Sequence, residues 1–155
     1  MALMSAKIIE KNINVITKDK EKAVSIIIKA LIGSGIAISV AGSSRPASGS
    51  EHLFSHALDL LSLKYGFEPR SHGVQCGVGS IIAMYLHGGD WMRIRSLLLT
   101  VKAPVDSKTL GIDKEYLIEA LIEASKIRPE RFTILSKVKP DREKAEDILT
   151  NVYII

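Results

Sequence analysis

Apolar positions recur with helical spacing from the first residues of the chain. Leu3, Met4, Ile8 and Ile9 give residues 2–14 the apolar period of a helix. No capping residue precedes this pattern, and a helix normally begins after one. The pattern therefore predicts a first helix, and its abrupt start indicates that further sequence would be expected upstream.

A second helix is predicted for residues 20–32, with Thr17 or Asp19 as its cap and with Gly33 and Gly35 as its end. Residues 36–42 are short, apolar and β-branched, so they could form a buried strand or a helix, and we favour the helix. The positions expected to face inward on the second helix are Ala23, Val24, Ile27, Ile28 and Leu31.

The rest of the chain alternates apolar helical periods with loops rich in Gly, Ser and Pro. Three closely spaced glycines, Gly73, Gly77 and Gly79, indicate a helix that another backbone approaches closely. The further helical segments are residues 50–64, 72–86, 91–101 after Asp90 as cap, 114–127 after Asp113 as cap, a short turn at 129–133, and 141–151. With seven or eight helices and no strong strand signal, the sequence predicts an all-α bundle that forms a single domain over residues 1–155.

Composition and charge argue against several kinds of function. The net charge is +4, but cations alternate with acidic residues and only 5% of residues are aromatic, so we expect no nucleic-acid binding. The apolar stretch of residues 26–41 contains Lys29 and two glycines and is shorter than the roughly 20 residues of a membrane span, so we expect no membrane insertion. No secretory signal is evident, and the single cysteine, Cys76, cannot form an internal disulfide. These features favour the cytoplasm, with Cys76 as a small buried apolar residue.

Histidines provide the candidate chemistry. His52 and His56 are four residues apart, so they lie on the same face of a predicted helix, and His72 begins the next one. Two antiparallel helices could present His52 and His72 to one divalent cation. The alternative is that these histidines are hydrogen-bonded or solvated without a metal. His87 is expected to act only as a helix C-terminal cap.

The segment GSSRPASGSEHLFSHALD at residues 42–59, followed by HGVQ at residues 72–75, resembles the signature of archaeal glycerol-1-phosphate dehydrogenases. These enzymes belong to the iron-containing alcohol dehydrogenase and glycerol dehydrogenase superfamily, and the resemblance extends over essentially the whole chain. It implies the C-terminal helical, metal-binding domain of the dehydroquinate-synthase-like fold. The implied reaction is the reduction of dihydroxyacetone phosphate to sn-glycerol 1-phosphate with NADH or NADPH, a step in the synthesis of archaeal membrane phospholipids.

The resemblance also implies roles for individual residues. His52 and His72 would bind zinc, or iron, and His56 would contact the substrate. Arg45, in a loop of small residues, could bind the substrate phosphate, or it could be a solvated loop residue. The third metal ligand of the family, an aspartate, would lie upstream of the first helix, and Asp19 is a poor replacement for it.

The resemblance does not supply a cofactor site. No strand-glycine-helix element of a nucleotide-binding domain is visible in the sequence, so NAD(P) would need a separate nucleotide-binding chain. Because only two histidine ligands are present, we expect weak zinc binding. Because no cofactor site is visible, we expect no activity of the chain alone. We also expect a homo-oligomer. The competing hypothesis is a non-catalytic helical remnant that serves as a scaffold or oligomerisation domain.

Overall fold

The computed structural model describes residues 1–155, and all of its regular secondary structure is helical. The predicted all-α fold is therefore confirmed. The chain divides into two compact units, Met1–Gly49 and Ser50–Ile155. The first unit contains α1 (Ala2–Lys11), α2 (Ile13–Lys18), α3 (Lys20–Ala41) and a 3-10 turn at Arg45–Ala47; the second contains α4 (Ser50–Tyr65), α5 (His72–Leu86), α6 (Trp91–Thr100), α7 (Ser107–Leu110), α8 (Lys114–Ala124), α9 (Ile134–Val138) and α10 (Arg142–Asn151).

The longest helix, α3, runs through the glycines that were predicted to end it. Asp19 caps its start by accepting a hydrogen bond from the backbone N–H of Lys22 at 3.1 Å, and residues 36–41 are helical as we favoured. Gly33 lies inside the continuous helix and against Ser5 of α1, where a Cβ atom would come within 2.6 Å of the serine Oγ. The glycine therefore serves close packing of two helices rather than termination.

The buried face of α3 also differs from the prediction. The buried residues of this helix are Ala23, Ala30 and Ala37, one every seven positions. Within its unit α3 packs against α1 and α2, and small side chains on that stripe allow close approach. Ala23 is buried as expected, but the other four positions predicted to face inward are exposed: Val24, Ile27, Ile28 and Leu31.

The continuity of α3 bears on the membrane prediction. With 22 residues it is the one helix that is long and apolar enough to cross a membrane by length and composition, and most of it is exposed. The glycines therefore do not break this stretch, contrary to the prediction. A soluble core helix or a signal sequence passes the same test of length and composition, so the absence of membrane insertion stays a prediction.

The second unit contains the main hydrophobic core. In it α4 packs against both α5 and α8, and α10 packs against α8. The largest fully buried side chains come from these helices and from the loops and short helices around them: Phe54, Leu58, Ile81, Ile82, Leu110, Leu117, Ile118, Leu121, Leu135, Leu149 and Ile154. This core holds α4 and α5, which carry the histidines, in fixed positions.

The short elements of this unit were the least predictable. Residues 104–111, which lie between two predicted helices, contain α7, and Asp106 caps it by accepting from the backbone N–H of Thr109 at 2.7 Å. Residues 129–130 form a turn, residues 131–133 are irregular, and the helix α9 begins at Ile134. Asp90 and Asp113 cap α6 and α8 as predicted, through the backbone N–H groups of Arg93 and Glu115.

Candidate metal centre

The helices α4 and α5 run in opposite directions and are joined by two close contacts. Gly79 lies against the backbone of Glu51, where a Cβ atom would come within 2.9 Å of the glutamate Cα. Farther along the two helices, the fully buried Gln75 of α5 donates a hydrogen bond of 2.7 Å from Nε2 to Oδ1 of Asp59 in α4. The predicted close backbone approach is thus confirmed at Gly79, whereas the space around Gly73 is open. Together these contacts set which residues of the two helices face each other.

His52 lies in the first turn of α4 and is oriented by its neighbour. Its Nδ1 is 2.8 Å from Glu51 Oε1, and because a carboxylate only accepts, the imidazole Nδ1–H donates. The other ring nitrogen, Nε2, then keeps its lone pair in the neutral imidazole. At zinc sites a carboxylate commonly accepts a hydrogen bond from one histidine nitrogen while the other nitrogen binds the metal.

His72 begins α5 and is held from the opposite helix. Its Nδ1 forms a 2.8 Å hydrogen bond with the hydroxyl of Ser55, a fully buried residue of α4. When Nδ1 carries the proton and Ser55 Oγ accepts, Nε2 is available as a ligand. The His72 residue is itself exposed, so a molecule from solvent can reach the ring.

The rings of the three predicted histidines lie next to each other. The centroids of His52 and His72 are 4.9 Å apart, and those of His56 and His72 are 5.5 Å apart. Burial, followed by the neighbouring His72 and Arg128, lowers the pKa of His56 below its ordinary value of 6.5. His56 is therefore a neutral side chain at neutral pH, able to donate one hydrogen bond and accept another.

Cys76 completes the cluster, where the sequence predicted only a small buried apolar residue. Its Sγ is 3.5 Å from His72 Nε2, and the ligand atoms of His52, His72 and Cys76 all lie within 4.8 Å of one another. The residue is half-buried, and burial raises the pKa of its thiol to about 11. The signal in the sequence was its spacing of four residues from His72, which puts both on one helix face.

The donor set fits a divalent transition metal. Imidazole nitrogen and thiolate sulfur are the ligands that zinc prefers, and a catalytic zinc site normally has three protein ligands and one open position. Arg45 lies in the 3-10 turn of the first unit, and its phosphate-binding role stays a prediction. The metal roles of His52 and His72 and the substrate role of His56 also stay predictions.

Comparison with curated proteins gives matches along the whole chain. The chain is 52% identical over 155 residues to a glycerol-1-phosphate dehydrogenase (NAD(P)+) of Methanosphaera stadtmanae, and 54% identical over 155 residues to that of Methanothermobacter thermautotrophicus. It is 55% identical over 146 residues, or 94% of the chain, to that of Pyrococcus abyssi. The chain spans 43%, 44% and 41% of these three relatives, in their C-terminal part. The sequence matches no protein-family model.

Proposed function

We propose that this chain, which corresponds over its whole length to the C-terminal part of glycerol-1-phosphate dehydrogenases, is the metal-binding and substrate-binding part of such an enzyme. The reaction would be the reduction of dihydroxyacetone phosphate to sn-glycerol 1-phosphate by NADH or NADPH. The observation that carries the proposal is that His52, His56 and His72 converge on one helix pair within a sequence about half identical to these dehydrogenases.

In this proposal His52 and His72 hold zinc through their Nε2 atoms, and Glu51 and Ser55 keep those nitrogens in place. When bound, such a metal supplies Lewis-acid chemistry at the substrate carbonyl. His56 stacks beside His72 and, as a neutral imidazole, hydrogen-bonds a hydroxyl or carbonyl oxygen of the substrate. The exposed side of His72 is where the substrate would enter.

The nicotinamide cofactor would be bound by polypeptide outside residues 1–155. Dinucleotide sites of the doubly wound kind are built on parallel strands, and all regular secondary structure of residues 1–155 is helical. We propose that hydride comes from this nucleotide-binding part, as a separate chain or region, and that the assembled protein acts in the cytoplasm in phospholipid synthesis. Homo-oligomer formation is part of the same proposal.

The proposal can be tested by complementation. The part of the Methanothermobacter thermautotrophicus relative that precedes its matched C-terminal region would be produced separately and mixed, or co-expressed, with this chain. We expect reduction of dihydroxyacetone phosphate with NADPH by the mixture and not by either part. The same mixture with His72→Ala should be inactive, because that variant lacks a metal ligand.

His87→Ala is the matched control for this experiment, since His87 follows the far end of α5 and lies outside the histidine cluster. It should leave the restored activity unchanged. If the two parts associate stably and both are folded but no activity appears, the catalytic proposal is wrong and a scaffold or oligomerisation role is favoured.

A further inference from the structure

The helix α8 runs antiparallel to α4, and the chain that follows it approaches the histidine cluster. Near the end of α4, Tyr65 donates a 3.0 Å hydrogen bond to Glu119 of α8. Ala57 lies eight residues before that tyrosine, Ile127 lies eight residues after that glutamate, and these two residues line one cavity. The two segments therefore keep one register, and the next residue, Arg128, is placed at the level of the histidines of α4.

The charge of Arg128 reaches this cluster. Burial, followed by the charges of His72 and Arg128, lowers the pKa of His56. The other charges that act on His56 belong to Asp59 and His52. Arg128 is therefore the permanent cation beside the side chain proposed to contact the substrate.

Arg128 is also available to bind an anion. The residue is exposed, and its guanidinium forms no ion pair within residues 1–155, whereas that of Arg142 pairs with Glu115. Its backbone is held in a turn, because its carbonyl oxygen accepts a 2.9 Å hydrogen bond from the N–H of Arg131. Pro129 occupies the second position of that turn, where proline is favoured. The base of the side chain is thus fixed while its charged end faces solvent.

We propose that Arg128 binds the phosphate group of the substrate and so selects dihydroxyacetone phosphate over unphosphorylated dihydroxyacetone. This inference rests on the proposed function and names a substrate-binding residue of that site. Only one carbon and one ester oxygen separate the carbonyl carbon of this substrate from its phosphorus. A group that binds the phosphate must therefore lie next to the groups that bind the carbonyl end. A planar guanidinium can donate two parallel hydrogen bonds to phosphate oxygens, which gives both strength and selectivity.

NMR of the complete chain tests this binding without catalysis. sn-Glycerol 1-phosphate is added at constant ionic strength, and glycerol is the matched compound that lacks the phosphate. We expect a saturable shift of the Arg128 Nε–Hε resonance with sn-glycerol 1-phosphate and no shift with glycerol. The resonance is identified by its loss in Arg128→Ala. The resonance of Arg142, which is paired with Glu115, should not respond.

Kinetics of the complemented enzyme test the consequence for specificity. Arg128→Ala should raise KM for dihydroxyacetone phosphate by about 10- to 100-fold, the effect of losing hydrogen bonds to a charged group, and should change kcat less. Its kcat/KM for unphosphorylated dihydroxyacetone should be unchanged, which also shows that the variant is folded. Arg128→Lys should recover part of the loss, because lysine keeps the charge but lacks the planar pair of donors.

Arg142→Ala is the matched control for both measurements. It removes the same charge from the same unit, but its partner Glu115 lies in the first turn of α8, at the end away from Arg128. It should leave the kinetics with both substrates unchanged.

Two results would overturn the inference: an Arg128 shift no larger than that of Arg142, or equal effects of Arg128→Ala on the two substrates. Loss of the phosphate preference in Arg45→Ala instead would assign the phosphate to Arg45 and overturn it as well. With any of these results, an active complemented enzyme would keep the proposed function. A specific Arg128 shift without restored activity would support this inference and contradict the proposed catalysis.

Discussion

The two compact units bury the side chains of their helices very differently, since the more apolar helix α3 buries fewer residues than α4. In α3, 22 residues long, the three buried residues are all alanines. In α4, 16 residues long, eight residues are buried, among them Leu53, Phe54, Leu58 and Leu61. The difference lies in the neighbours, because α4 packs against both α5 and α8 through large apolar side chains, whereas α3 packs against α1 and α2 through a narrow stripe of alanines. An apolar sequence is therefore a poor guide to which side chains leave water.

The largest expected effect compares one substitution in the two units. Leu58→Ala removes a side chain with 0% exposure and should lower the free energy of unfolding by about 2–5 kcal/mol, through lost burial and the cavity that remains. Leu31→Ala removes a side chain with 64% exposure and should change it by no more than about 0.5 kcal/mol. Urea denaturation followed by circular dichroism gives both values.

Equal losses of unfolding free energy in Leu58→Ala and Leu31→Ala would contradict this difference between the two units. That result would show that the exposed face of α3 is covered in solution, as the predicted homo-oligomer could provide. Repeating the two measurements at several protein concentrations would separate the cases, because the stability of an oligomer depends on concentration and that of a monomer does not.

Glycine substitutions give the next largest contrast. Gly79→Ala should cost about 1–3 kcal/mol, because its Cβ would meet the backbone of Glu51, which cannot move aside without shifting α4. Gly35→Ala should stabilise the protein by up to about 1 kcal/mol, since alanine is the better helix former and no atom lies within 4 Å of the added Cβ. Thermal unfolding measures the change in stability of both variants. A stabilising effect of Gly79→Ala would contradict the packing of α4 on α5.

The smallest expected effect is a pH dependence that comes from one histidine of the second unit. All four histidines lie after residue 50, and the pKa of His56 is lowered from 6.5 by burial. Because the unfolded chain binds this proton more readily, stability should fall as the pH drops below 6.5 and should be independent of this group above it. Proton-detected NMR titration of the metal-free protein should place the His56 midpoint below 6.5.

His56→Gln provides the control for that measurement, since it should remove this part of the pH dependence while keeping a polar side chain at the position. A midpoint for His56 at or above 6.5 would contradict the burial of its ring. Unchanged pH dependence in the variant would assign the effect to other groups.

The sequence by itself determined the features that depend on neighbours along the chain. Apolar periodicity predicted α5 at its observed bounds and α4, α6, α8 and α10 to within about three residues, and the caps Asp90 and Asp113 are local hydrogen-bond motifs. The spacing of His52 and His56 and the start of a new helix at His72 were enough to predict a shared site. The short helix α7 was missed and α9 was predicted a few residues too early, because brief segments carry little periodicity.

Only the tertiary structure decided what depends on residues far apart in the chain. It placed Gly33 against Ser5 inside a continuous helix. It also left four apolar side chains of α3 exposed, because the unit offers this helix few partners: Val24, Ile27, Ile28 and Leu31. It also paired Gln75 with Asp59 and turned Cys76 toward His72 and His52. Periodicity tells which residues share a helix face, but only packing between helices tells which face is covered and which donors meet.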